Sequence, residues 1–163
     1  VAIKTNVLYP TLVKGASLAV ETATSRRTSL NLYGAFGSNG QLALAQEYKF
    51  QNLLVEERFY SAKSKGVFQG FYVAPYTKYM HRQIYRKAEL FVSGRDSDGH
   101  SVGLGTAIGL QVQPRWAKRL LVDAFMGGGY LIYISQVDYA NPTKNRFVHL
   151  DLRAGLSVGY RLD

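Results

Sequence analysis

The sequence predicts an all-β fold: an eight-stranded antiparallel up-and-down transmembrane β-barrel with a plugged polar lumen, a single domain over residues 1–163. Three observations carry that expectation. Apolar residues alternate with small or polar ones at a period of two along most of the chain, and that is strand periodicity. In the clearest stretch, Ser101 to Gln113, one row is Val102, Leu104, Thr106, Ile108, Leu110 and Val112, while the other is Ser, Gly, Ala and Gln. A greasy outer row over a small, polar inner one is the pattern of a membrane barrel. Finally, short basic connections alternate with mostly longer ones, the asymmetry of turns and loops in outer-membrane barrels.

The first strand is expected over Val1 to Tyr9, with Ile3, Thr5 and Val7 opposite Lys4, Asn6 and Leu8. A link around Pro10 to Lys14 leads to Gly15–Ala23, where Leu18 and Val20 oppose Ser17, Ala19 and Glu21. The turn Ser25-Arg26-Arg27-Thr28 precedes Ser29–Phe36, with Leu30 and Leu32 outward and Asn31 and Tyr33 inward. A Gly- and Gln-rich link, Gly37 to Tyr48, follows. In Lys49–Tyr60, Leu53, Val55 and Phe59 oppose Asn52, Glu56 and Arg58; Glu57 falls on the apolar row, which suits only a place near the interface.

After a turn at Ser61 to Lys65, the fifth strand is expected over Gly66–Met80, with Phe71, Val73 and Tyr79 outward and Tyr72, Tyr76 and Lys78 inward. Pro75 cannot donate a ladder hydrogen bond, so a bulge is expected there. His81 to His100 reads as the longest link, and Pro114 to Lys118 as a third short turn. Leu120–Ile134 carries Asp123, Gly127 and Gly129 inward, with the Gly127-Gly128-Gly129 run packed beside aromatics. A link from Ser135 to Asn145 precedes the last strand, Phe147–Leu162, whose inward row is His149, Asp151, Arg153, Gly155, Ser157, Gly159 and Arg161.

Composition fits this architecture. No apolar run approaches the roughly 18 residues of a membrane helix. A mean hydropathy of -0.11 is what a lipid face averaged with a polar lumen gives. With no Cys, disulfides, thiolate zinc sites and thiol nucleophiles are excluded together. Val1 opens without a charged or apolar leader, so a secretion signal is expected to have been removed already.

The inward charges Lys4, Arg58, Lys78 and Arg153 balance Glu21, Glu56, Asp123 and Asp151. Together with His149 they are expected to form a lumen charge network, because an eight-stranded barrel is filled by side chains and buried ions must be paired. The net charge of +9 comes mostly from the short turns, with Arg26, Arg27, Lys63, Lys65, Arg115, Lys118 and Arg119, and from the run His81 to Lys87. His81, Arg82, Arg86 and Lys87 are thus candidate loop contacts to a partner or to lipopolysaccharide phosphates. Nucleic acid is not expected as a partner, since the aromatics are spread over strand ends and not clustered with the basic residues.

Catalytic signals are weak. His149, Asp151 and Ser157 share the inward row in a hydrolase-like order, but a lipid-cleaving barrel needs them facing acyl chains. Asp96-Ser97-Asp98-Gly99-His100 resembles the start of a calcium loop without the distal Glu, and reads as a hydrated turn at a loop tip. No catalytic residue, metal or cofactor is expected.

Lys4-Thr5-Asn6-Val7-Leu8-Tyr9 resembles the opening of a Bacteroidetes outer-membrane barrel family of unknown function. Leu54 to Tyr60 is similar to that family's fourth strand, and Leu121-Val122-Asp123 with Gly127-Gly128-Gly129-Tyr130 is similar to its seventh. The resemblance implies the barrel fold and a Gram-negative outer-membrane location, with no established activity. The expected role is therefore a structural or accessory subunit of a larger outer-membrane or surface complex, contacting it through extracellular loops and surrounded by outer-membrane lipid. The alternatives are a lipid A-modifying barrel enzyme and a soluble lipocalin-like ligand carrier.

Overall fold

The computed structural model describes residues 1–12, 14–39, 46–61, 68–86, 95–138 and 148–162. Eight strands close into a barrel: β1 (Ala2–Asn6), β2 (Ala16–Ala23), β3 (Thr28–Asn39), β4 (Gln46–Tyr60), β5 (Gly70–Arg86), β6 (Arg95–Val112), β7 (Leu120–Asp138) and β8 (Val148–Arg161). Each strand is antiparallel to its sequence neighbours, and β1 closes the ring against β8. Paired residues lead once round the barrel from Gly159 through Lys4, Ala19, Tyr33, Leu54, Lys78, Gly103 and Leu131 to His149. The ring returns to β8 displaced from 159 to 149, a stagger of ten residues, which for eight strands tilts them by about 40°. An interior of that size has room for side chains and none for a water channel.

Parity decides which way each side chain points. Lys4, Glu21, Asn31, Glu56, Arg58, Tyr72, Tyr76, Gln111 and Asp123 are buried in the lumen. Leu18, Leu32, Leu53, Phe71, Leu104, Ile108, Met126, Leu150 and Leu152 stand exposed on the outside, Leu152 at 75 %. Glu57 is exposed on this outer face beside Leu30, three residues from the end of β4. Val1 and Leu162 lie at the end of the barrel that carries the tight turns, where Leu162 N–H donates to the Val1 carbonyl (2.9 Å). Gly105 and Gly109 lie under the rings of Tyr76 and Tyr72, and a Cβ at either would overlap the ring. Gly127 and Gly129 instead abut the β6 backbone at Ala107 and Gly105, so two of the three glycines in the run sit where strands approach closely.

Several elements differ from the sequence expectation. β1 stops at Asn6, whose Oδ1 accepts the Leu8 N–H (2.9 Å) and turns the chain. A four-residue helix, α1 (Tyr9–Leu12), follows, with Pro10 in its first turn where a missing N–H costs nothing. There is no bulge at Pro75: β5 pairs with β6 in unbroken register through Pro75↔Thr106. On the β4 side the ladder simply lacks pairs between Glu56↔Tyr76 and Phe59↔Val73, in the same register on both sides. The missing donor therefore removes ladder contacts without shifting the strand. The bulge lies in β7, where Ile134 is extra between Tyr133, opposite Ser101, and Ser135, opposite His100.

The larger correction concerns the stretch from His81 to His100. β5 runs on to Arg86 and β6 begins at Arg95, joined in register from His81↔His100 to Arg86↔Arg95. Asp96 to His100 is therefore strand, not a loop-tip turn, and β4 to β7 rise well beyond β1 and β2 at the loop end.

Candidate functional site

Among the described residues the lumen is filled by polar side chains in two layers along the barrel. Near the turn end, Arg58 projects from β4 to the barrel centre and is 2 % exposed. Its Nε donates to Glu56 Oε1 (2.7 Å), and Nη1 donates to Asp123 Oδ2 (2.7 Å) and Gln111 Oε1 (2.9 Å). Nη1 also lies 3.3 Å from Glu21 Oε2, and the guanidinium stacks 4.4 Å above the Tyr72 ring. Lys4 on β1 bridges Glu21 of β2 and Asp123 of β7, donating to both. Hydroxyls complete the acceptors: Tyr60 and Ser29 donate to Glu21, and Tyr72 donates to Asp123 (2.7 Å). Two cations thus face three carboxylates, with neutral donors filling the remaining lone pairs, as burial of ions requires.

A second layer lies nearer the loop end. Arg153 donates to Glu56 Oε2 (2.8 Å), linking the layers, and is sandwiched between Tyr76 (4.9 Å) and Phe125 (4.7 Å). Lys78 and Tyr76 each donate to one oxygen of Asp151, at 2.6 and 2.8 Å. His149 stands apart, since neither ring nitrogen has a hydrogen-bond partner among the described residues, and its ring tilts against Tyr133 at 4.8 Å. Above this layer β1 is too short to accompany β8, and α1 lies at the gap. A cavity of about 210 Å³ there is lined by apolar Leu8, Leu12 and Leu152 and by polar Asn52, Lys78 and Arg153.

At the loop end, the residues read as loop contacts separate by parity. His81 lies on the outer face of β5, and its Nε2 is 2.8 Å from Asp98 Oδ1 on β6. Arg82 points inward to the Tyr133 hydroxyl and lies 5.6 Å over that ring, because the strand alternation continues past Met80. Arg86 ends β5, and Lys87 lies outside the described residues, as do Lys63 and Lys65. Asp98 also accepts from Gln83 Nε2 (2.9 Å). Burial works to raise the Asp98 pKa, but hydrogen bonds from Gln83 and His81 and the pull of both histidines carry it below the usual carboxylate range.

Residues 1–154 match the model of a family described as protein of unknown function DUF3575. The chain belongs to that family. No curated protein matches it. The DUF3575 chain is also similar to a crystal structure of a major outer membrane protein from Thermus thermophilus, with a TM-score of 0.48 and 13% identity over 98% of this chain and 96% of that one.

The hydrolase-like trio of this DUF3575 barrel does not assemble. His149 and Ser157 are on one strand, about 26 Å apart at strand rise, and both Asp151 oxygens are engaged by Lys78 and Tyr76. Gln111, Tyr60, Asn31 and Ser29 are members of the network that charge counting passes over. The signal that finds them is parity: each lies on the inward row of its strand.

Proposed function

We propose that this chain is a small integral barrel of the Gram-negative bacterial outer membrane, with a closed lumen, acting as a structural or accessory subunit of a larger outer-membrane or surface complex. One observation carries the reading: the outer rows are apolar around the ring, while the ionic side chains of the strand middles are paired inside. A water-soluble carrier such as a lipocalin needs the opposite arrangement, with an apolar interior for its ligand and a solvated exterior. Outer rows of this kind suit acyl chains, with Tyr79, Tyr130, Trp116 and Tyr160 as exposed aromatics toward the two ends. The basic turn residues Arg26, Arg27, Arg115 and Arg119 suit anionic headgroups. A pore is disfavoured because the Arg58 and Arg153 layers occupy the lumen. The Lys4 to Tyr9 opening supports a Bacteroidetes origin.

The accessory role is supported by the shape of the barrel, since its long β4–β7 wall offers a rigid surface beyond the apolar rows to a partner. The test is extraction of the native protein in mild detergent, followed by size-exclusion chromatography and mass spectrometry of what elutes with it. Co-elution with a larger membrane protein in fixed stoichiometry is the expected result. A lone heat-modifiable barrel would remove the accessory role and leave the membrane one. Recovery as a monomer without detergent would overturn both. A lipid A-modifying activity is not favoured, and unchanged lipid A on alanine substitution at His149, Asp151 and Ser157 is the matching expectation.

A further inference from the structure

The chain has three histidines, and two of them meet directly. His81 and His100 are cross-strand partners on the outer face of β5 and β6, just past the end of the apolar rows marked by Tyr79 and Val102. Their rings are parallel within 6° and 4.3 Å apart. Asp98 shares the face of His100, because residues two apart on a strand point the same way. One donor atom from each of His81, Asp98 and His100 lies within 4.8 Å of the other two.

We propose that His81, Asp98 and His100 form a binding site for a divalent transition-metal ion of the zinc class. Two imidazoles and one carboxylate are a borderline-soft ligand set that suits such an ion, whereas calcium and magnesium favour sites built of oxygen alone. Ligands in a tetrahedral site at about 2.0–2.1 Å from the ion lie about 3.4 Å apart, so the widest pair closes by no more than about 1.4 Å. Side chains that are only half-buried make that movement without disturbing the ladder. Supporting contacts are already in place. Gln83 Nε2 holds the second Asp98 oxygen at 2.9 Å, and the Tyr79 hydroxyl is 2.7 Å from Nδ1 of His100, the kind of outer partner that orients a metal-bound imidazole. Three ligands leave at least one position for water or an incoming group, so the ion would exchange with the medium. The inference stands independently of the accessory role proposed above.

The experiment is calorimetric titration of zinc ion into the full chain, folded in detergent, stripped with chelator and free of any histidine tag. One ion per barrel with a micromolar or tighter Kd is expected. His81→Ala, His100→Ala and Asp98→Asn should each weaken binding by more than the roughly 10- to 100-fold that loss of an outer hydrogen-bond partner costs. His149→Ala, in the lumen, should leave it unchanged. Gel mobility before and after heating reports whether each variant is folded, and Tyr79→Phe, which keeps the packing, should give a smaller loss than the ligand variants. Absence of binding to the wild-type chain overturns the proposal. So does binding that folded His81→Ala and His100→Ala variants retain in full.

Discussion

At the scale of single residues, the guanidinium of Arg58 organises the lumen. It touches Glu21, Glu56, Asp123 and Gln111, which come from four different strands. Removing it by Arg58→Ala leaves three buried carboxylates facing Lys4 and Arg153 alone, and breaking a buried pair in this way costs about 3–5 kcal/mol. The expected outcome is that loss in denaturant unfolding from lipid vesicles, with Arg58→Lys recovering only part of it because an ammonium cannot reach several acceptors with a planar fork. Inward charge was legible in the sequence, since parity alone puts Lys4, Glu21, Glu56, Arg58 and Asp123 on one side. Which charge meets which was not. The Lys4–Asp123 contact joins the second-to-last strand to the first, and depends on the stagger of the closed ring, which no local pattern encodes. Tyr60 and Gln111 escaped for a related reason: a neutral polar side chain announces a partner only once the partner is placed beside it.

At the scale of elements, the strands near the loop end outrun their sequence signal. Between Phe71 and Tyr79 the outer row is mostly apolar and the inner row mostly polar or aromatic, so period two is plain. Beyond Met80 both rows carry polar groups, as in His81-Arg82-Gln83, and the contrast that reveals a strand vanishes while the ladder continues. Local polarity therefore reports the end of the apolar outer row and not the end of β5. The same cause turned Asp96 to Gly99 into an apparent loop. α1 is too short to show a helical period, and only Pro10 marks it. The continued ladder has a measurable signature: in hydrogen exchange, the cross-ladder amides of residues 82–86 and 95–99 should be protected comparably to those around Thr77 and Leu104. Exchange at the rate of an open loop would contradict the extended hairpin.

At the scale of the whole molecule, the inverted distribution of polarity makes stability depend on the medium. Ile108 lies mid-way along the apolar row of β6, whereas Ser135 is exposed past the β7 bulge. Ile108→Arg is expected to cost about 2–4 kcal/mol in vesicles, and Ser135→Arg about 0–1 kcal/mol, following the depth dependence of charge on a lipid-facing surface. Equal effects at both positions, measured by reversible unfolding, would speak against a bilayer around the barrel. Fold class was legible at this scale because every strand repeats the same two-row pattern, so errors at strand ends do not accumulate.

The junction between the first and last strands has a consequence for the order of assembly. β1 contributes only five residues to the ring, and Lys4 grips carboxylates on both sides of that junction, Glu21 from β2 and Asp123 from β7. The hairpins from β2 to β8 can zip up progressively from local pairings, but the ring shuts only when the N-terminal segment arrives and its ammonium drops between two waiting acids. Lys4 is then expected to act as a clasp fastened last and released first. Lys4→Met should leave the folding rate nearly unchanged while speeding unfolding by roughly two to three and a half orders of magnitude, the partition expected for a contact absent from the transition state. Slower folding with unaltered unfolding would instead make the N-terminal strand a starting point for the barrel.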